Sequence, residues 1–140
     1  MFRPTLEDVE QLASFRLMLE VGALERCLAG NAAAAQAAMQ AARAEGDGKA
    51  YARADTAFHA VFFAHCGNVH LANAYRGISG QVAALRAHLS VPRSDQQDLS
   101  FAEHAEMIEA FAARDLRRLS ALLNDHILRA LSVYAGALRG

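Results

Sequence analysis

The stretch ADTAFHAVFFAHCGN, residues 54–68, sets Asp55 four positions before His59 and then runs on through Val61, Phe62 and Phe63. On a helix, offsets of three and four share a face, so Asp55, His59, Phe62 and Cys66 form one stripe. A carboxylate and an imidazole are thereby aimed into an apolar interior. Two more imidazoles do the same. His104 shares its stripe with Phe101, Met107, Ile108 and Phe111, and His126 lies among Leu119, Leu122, Leu123, Ala130 and Val133. Any one of these histidines also reads as a core residue satisfied by a neighbouring hydroxyl or carbonyl. Together, three imidazoles and a carboxylate that is costly to bury alone make an N₃O donor set for a divalent metal ion. His65 falls on a flank, and His70 and His88 near helix ends, so these three read as boundary or surface residues.

The first helix carries the opposite charge in the same setting. Val9, Leu12, Ala13, Arg16, Leu19, Glu20, Ala23, Leu24 and Cys27 define its apolar arc, with Arg16 and Glu20 in the middle. One reading is an intrahelical Arg16–Glu20 pair whose stems pack while the heads reach water. The other is an arginine held in a cavity to clamp a ligand's carboxylate. Arg86, on the edge of the stripe of Leu71, Tyr75, Ile78, Val82, Leu85 and Leu89, is a second, weaker candidate for that clamp. A divalent ion held by one carboxylate keeps a positive charge, and Arg16 adds another, so the cavity should attract anions. Phe58, Phe62, Met107 and Phe111 offer little polar surface for a sugar. A small mono- or dicarboxylate, such as a hydroxy or keto acid, fits best.

These residues must be placed by helices, because no strand-like alternation competes with the helical period. Helix-period runs cover about 5–28, 31–45, 49–66, 69–90, 100–113 and 115–138, separated at AGN, EGDG, CGN and SVPRSDQQDLS. Thr5 with Asp8, Asn31, and Ser100 with Glu103 read as N-terminal caps, and Gly30, Gly46 and Gly67 as left-handed C-terminal caps. Residues 91–99 form the one long polar connection, and no change of composition suggests a second domain.

A chain of 140 residues that is 54% hydrophobic is long enough to close one core. Fourteen Lys and Arg against fifteen Asp and Glu leave no basic stripe of the kind a phosphate backbone demands. No apolar run approaches the roughly 20 residues that span a bilayer, and MFRPTLEDVEQ lacks a signal peptide's apolar core. The chain reads as soluble and cytoplasmic. Cys27 and Cys66 are too few for a disulfide framework and read as free thiols.

The series FRLMLEVGALE (15–25), ADTAFHAVFFAHCGN (54–68), EHAEMIEAFAARD (103–115) and NDHILRAL (124–131) resembles the FCD domain, the effector-binding C-terminal half of many GntR-type bacterial transcription regulators. That pattern has an Arg and a Glu four apart, Asp-x₃-His before a Gly-Asn turn, a Glu-His pair and a last-helix His. This chain supplies Arg16 and Glu20, Asp55 and His59, Glu103 with His104, and His126. The resemblance implies an all-α antiparallel bundle of about six helices around one divalent ion, zinc or nickel, beneath a pocket for small carboxylates. Asp55, His59, His104 and His126 would hold the metal, and Arg16, Arg86, Glu20, Phe62 and Cys66 would line the ligand site. Cys66 stands where a small Ser or Ala is common, which would put a thiol near the metal. The resemblance also implies a symmetric homodimer, with the first or fourth helix supplying the face.

Regulators of this type carry a winged helix-turn-helix ahead of the domain. Here residues 1–5 read as a linker remnant and 6–140 as the domain, so DNA would be reached only through an N-terminal domain outside this chain. An excised domain is the preferred reading, a natural stand-alone sensor the alternative. Functionally, an organic-acid sensor whose ligand shifts a dimer's conformation competes with a mononuclear metalloenzyme acting on a small carboxylate and with a metal-stapled dimerisation module. The enzyme reading is the poorer, because no Ser-His or Cys-His arrangement stands out and few carboxylates remain to act as acid or base.

Overall fold

The computed structural model describes residues 4–45, 51–89 and 94–139, with the backbone alone at 51–52, 84–89, 94–98, 133–134 and 137–139. Six helices and no strand occur among the described residues: α1 (Leu6–Ala29), α2 (Ala32–Ala44), α3 (Tyr51–Ala64), α4 (Val69–Leu89), α5 (Ser94–Ala112) and α6 (Leu116–Arg139). None is long and apolar enough to cross a membrane. The long helices α1 and α6 lie side by side, α2 packs on α3 and α5, and α5 packs on α6.

The caps explain where the helices begin. The Asp8 N–H donates to Thr5 Oγ1 at 3.1 Å while the Thr5 N–H donates to Asp8 Oδ2 at 2.8 Å, a closed capping box. Asn31 Oδ1 takes the Ala34 N–H at 3.2 Å and opens α2. Asn68 Oδ1 receives the N–H groups of His70 and Leu71 and opens α4.

Other boundaries differ from the sequence expectation. Ser100 caps nothing: α5 begins at Ser94, six residues earlier, because Gln96, Gln97 and Leu99 favour helix without contributing to an apolar period. Gly30 is not left-handed either, at φ −103°, although its N–H still donates to Arg26 and Cys27 carbonyls. Gly67 is, at φ +67°, and α3 ends at Ala64, ahead of that turn. Gly46 lies outside the described residues. Between α5 and α6 the left-handed residue is Arg114, at φ 57°. The Asp115 N–H reaches the Ala110 carbonyl and the Arg114 N–H the Phe111 carbonyl, a Schellman ending without glycine. Arg114 is also held through its guanidinium, which donates to the Leu28 carbonyl at 2.9 Å.

The core runs from Leu19, Ala23 and Leu24 of α1 through Met39 of α2, Phe58 and Phe62 of α3, Met107 and Phe111 of α5, to Leu119 and Leu123 of α6. Burying each large apolar side chain stabilises by about 1.5–3 kcal/mol. Embedded in this core are five polar groups, Arg16, Glu20, His59, His104 and His126.

Two glycines should respond oppositely to alanine. Gly67→Ala forces a β-carbon into the left-handed region and should cost about 1–2 kcal/mol. Gly22 lies within α1 with nothing within 4 Å of an added β-carbon, so Gly22→Ala should stabilise by about 0.5–1 kcal/mol. Denaturant unfolding of the two variants checks both signs.

Candidate metal centre

Three helices deliver the central side chains: α3 brings Asp55 and His59 on adjacent turns, α5 brings His104, and α6 brings His126. One ligand atom from each lies within 4.8 Å of every other. His59 Nε2 is 3.2 Å from His126 Nε2, His104 Nε2 is 3.1 Å from Asp55 Oδ1, and His59 Nε2 is 3.5 Å from the same oxygen. Phe58 stacks on the His104 ring at 4.0 Å, and Phe62 meets the edge of His59 at 5.5 Å, so both rings are fixed by apolar walls.

The outer nitrogens decide what the inner ones offer. Glu20 accepts from His59 Nδ1, and Glu103 accepts from His126 Nδ1 at 2.8 Å. With each Nδ1–H given to a carboxylate, both Nε2 atoms present lone pairs to the centre. Two lone pairs facing at 3.2 Å repel unless a proton or a cation lies between them. Ligand atoms that share an ion at about 2.0–2.1 Å sit about 3.0–3.4 Å apart, a range that holds the His59–His126 and His104–Asp55 separations. His104 Nε2 adds a further demand, being buried and without an aligned hydrogen bond. The donor set could therefore hold a divalent metal ion.

Behind this ring stand two carboxylate supports. Glu20, wholly buried, also takes Arg16 Nε at 2.5 Å. Arg16 is only 4% exposed, and its Nη2 has no hydrogen-bond partner. Glu103 takes Arg129 Nη2 at 2.6 Å, and the same nitrogen donates to Ser100 Oγ at 2.8 Å. The Glu103–Arg129 support was not legible as part of the site. Glu103 lies one position off the inward stripe of its helix and Arg129 three past His126; an acid beside one stripe and a base beside the other was the available signal.

The other expected residues divide. Phe62 forms wall, as described. Cys66 does not join the ring: its thiol donates to the carbonyls of Phe63 and Asn68, because the chain leaves the helix before it. The Arg86 side chain lies outside the described residues. His65 is half-buried and His70 exposed.

Burial disfavours charge on Glu20, but Arg16 and His59 outweigh it and hold the carboxyl at about 2. Burial likewise works against Glu103, and the hydrogen bonds from His126 and Arg129 bring it to about 2. His104 is pushed down to about 4 by burial, against the pull of Asp55, and burial also lowers His126 against Glu103. His59 is driven down by burial yet ends raised, because the Glu20 carboxylate prevails. At neutral pH His104 and His126 are thus uncharged, the form in which imidazole binds a metal.

The FCD domain family model matches residues 11–129. The chain belongs to the FCD family. It is therefore an effector-binding domain of the kind that forms the C-terminal half of GntR-type regulators. No curated protein matches the chain.

The lowered histidines give the metal-free FCD domain a pH dependence. Between about 6.5 and about 4 the unfolded chain binds a proton at His104 that the fold refuses, so stability falls as pH falls through that window. His126 acts in the same direction. His59 adds no slope in that window: its raised pKa gives a contribution that is complete below 6.5 and is lost only as pH rises above it. Below 4.5 the loss of the ionised Glu20 and Glu103 deepens the fall. Melting temperatures in chelator should decline from about pH 6.5 to pH 4; a flat or rising profile across that window would contradict the assignment.

Proposed function

We propose that this FCD domain is a metal-dependent sensor of small organic acids. Asp55, His59, His104 and His126 would hold one zinc or nickel ion per chain, and Arg16 would take the acid's carboxylate. The domain works as a homodimer of a cytoplasmic regulator, and effector binding shifts the dimer between states that differ in DNA affinity through an N-terminal reading domain. The observation that carries this reading is the buried Arg16, whose Nη2 has no partner, joined through Glu20 to His59 of the imidazole ring.

A bound ion supplies a Lewis-acidic centre for a carboxylate oxygen. The protein supplies the rest. Arg16 offers a planar guanidinium suited to a carboxylate, and its burial strengthens that pairing. Glu20 and Glu103 keep the imidazoles oriented.

Catalysis fits the same groups less well. A general acid or base works best with a pKa near the working pH, whereas Glu20 and Glu103 sit at about 2 and are already engaged by His59, Arg16, His126 and Arg129. That supports a binding module over a metalloenzyme. A staple without an effector would still use Arg16 to back Glu20 but would leave its Nη2 buried and unpaired, at a cost of about 1–3 kcal/mol for the missing bond.

Two sets of variants separate metal from acid. His104→Ala or His126→Ala should abolish stoichiometric metal, measured by elemental analysis, and lower the melting temperature. Arg16→Ala should keep the metal and weaken acid binding about ten- to a hundredfold by calorimetry, matching roughly 1.5–3 kcal/mol for a charged hydrogen bond. Full occupancy in both histidine variants would remove the metal centre; unchanged acid affinity would remove Arg16.

A further inference from the structure

The two carboxylate supports are held in different ways. Glu20 is fully enclosed, with His59 Nδ1 on one oxygen and Arg16 Nε on the other, and has no solvent to turn toward. Glu103 stands on the flank of α5 with its side chain 23% exposed, so water competes for its oxygens. What fixes it is a fork from α6. Arg129 Nη2 donates to Oε1 at 2.6 Å and Arg129 Nε to Oε2 at 3.2 Å, and the same Nη2 is anchored on Ser100 Oγ at 2.8 Å, one turn before Glu103. Oε1 is thereby kept against His126 Nδ1 at 2.8 Å.

We infer that Arg129 is a positioning residue for the metal centre, acting through Glu103 to keep the His126 Nε2 lone pair turned inward. The inference rests on the metal-sensor reading and adds a residue to it. A neutral imidazole carries one proton on its two nitrogens. While Glu103 claims that proton at Nδ1, Nε2 is left as a ligand atom. With Glu103 released to water, the proton gains by moving to Nε2, because His59 Nε2 lies 3.2 Å away with its own Nδ1 proton given to Glu20. The His59–His126 contact then becomes an ordinary hydrogen bond, and a metal ion must displace its proton before it binds. Charge alone does not prevent this: a lysine ammonium is a point charge and cannot span both carboxylate oxygens.

Zinc affinity by competition with a chromogenic chelator, together with ring-nitrogen NMR of the metal-free domain, tests this. Arg129→Ala should bind zinc about ten- to a hundredfold more weakly than wild type, the usual loss when a ligand's outer partner is disturbed. Its His126 should pass from the Nδ1–H to the Nε2–H tautomer, a change that mere loss of packing would not produce. Arg129→Lys should show the same tautomer change and an intermediate affinity. Arg118→Ala, which removes the exposed Arg118–Glu109 pair between the same two helices, should match wild type in both readouts. If the two Arg129 variants bind zinc as tightly as wild type, or keep the Nδ1–H tautomer, the positioning role is overturned while the metal centre stands. Equal weakening in Arg118→Ala would assign the effect to α5–α6 packing and overturn it as well. If the wild-type domain takes up no zinc, the metal-sensor reading and the inference fall together.

Discussion

His59 and His126 point Nε2 at Nε2 across 3.2 Å inside an apolar bundle, and much of the structure is organised to hold that opposed pair. Neither ring could adopt this orientation unaided, since each would gain by turning a donor inward. Glu20 and Glu103 prevent it by claiming the Nδ1 protons from behind. Those carboxylates would be unstable in the interior without cations of their own, which is the role of Arg16 for one and Arg129 for the other. The polar cluster is thus layered, with acids backing imidazoles and arginines backing acids: Glu20 reaches from α1 to His59 on α3, and Glu103 from α5 to His126 on α6. Removing Arg16 would leave the four inward donors in place and reach them only indirectly, through Glu20 and His59.

The parts of this design that repeat with the helical period were legible in the sequence. Asp55, His59, His104 and His126 stand on inward stripes, and so do Arg16 and Glu20; the apolar neighbours at offsets of three and four announce their direction. Glu103 gave no such sign because it occupies the flank of α5, where a glutamate is ordinarily solvated. Its partner Arg129 is on a different helix, and the sequence does not state which flanks of α5 and α6 meet. Cys66 stays outside the ring of imidazoles for a local reason: α3 ends at Ala64, before the stripe reaches it, and its thiol turns to the Phe63 and Asn68 carbonyls.

Boundaries followed the same division between pattern and context. Thr5, Asn31 and Asn68 mark helix starts through side-chain chemistry that is visible in the sequence. The opening turns of α5 are polar and carry no periodic signal, so the helix runs six residues further back than the stripe of Phe101, His104 and Met107 suggests. The left-handed Arg114 was also invisible, because an arginine is not the residue such a turn selects. Its guanidinium contact with Leu28 fastens the α5–α6 turn to the end of α1.

His59 and His126 are 67 positions apart, and Glu20 is 39 positions from His59. Contacts of that range close late, after the local helices have formed, because the chain entropy lost in the intervening loops must first be offset by other packing. The cluster is complete only when α1, α3, α5 and α6 are docked. Partly folded chains present scattered histidines of ordinary affinity, and only the finished bundle presents the converged set. An ion held at this site would report that a molecule has reached its native topology, and would slow unfolding by holding those long-range contacts together.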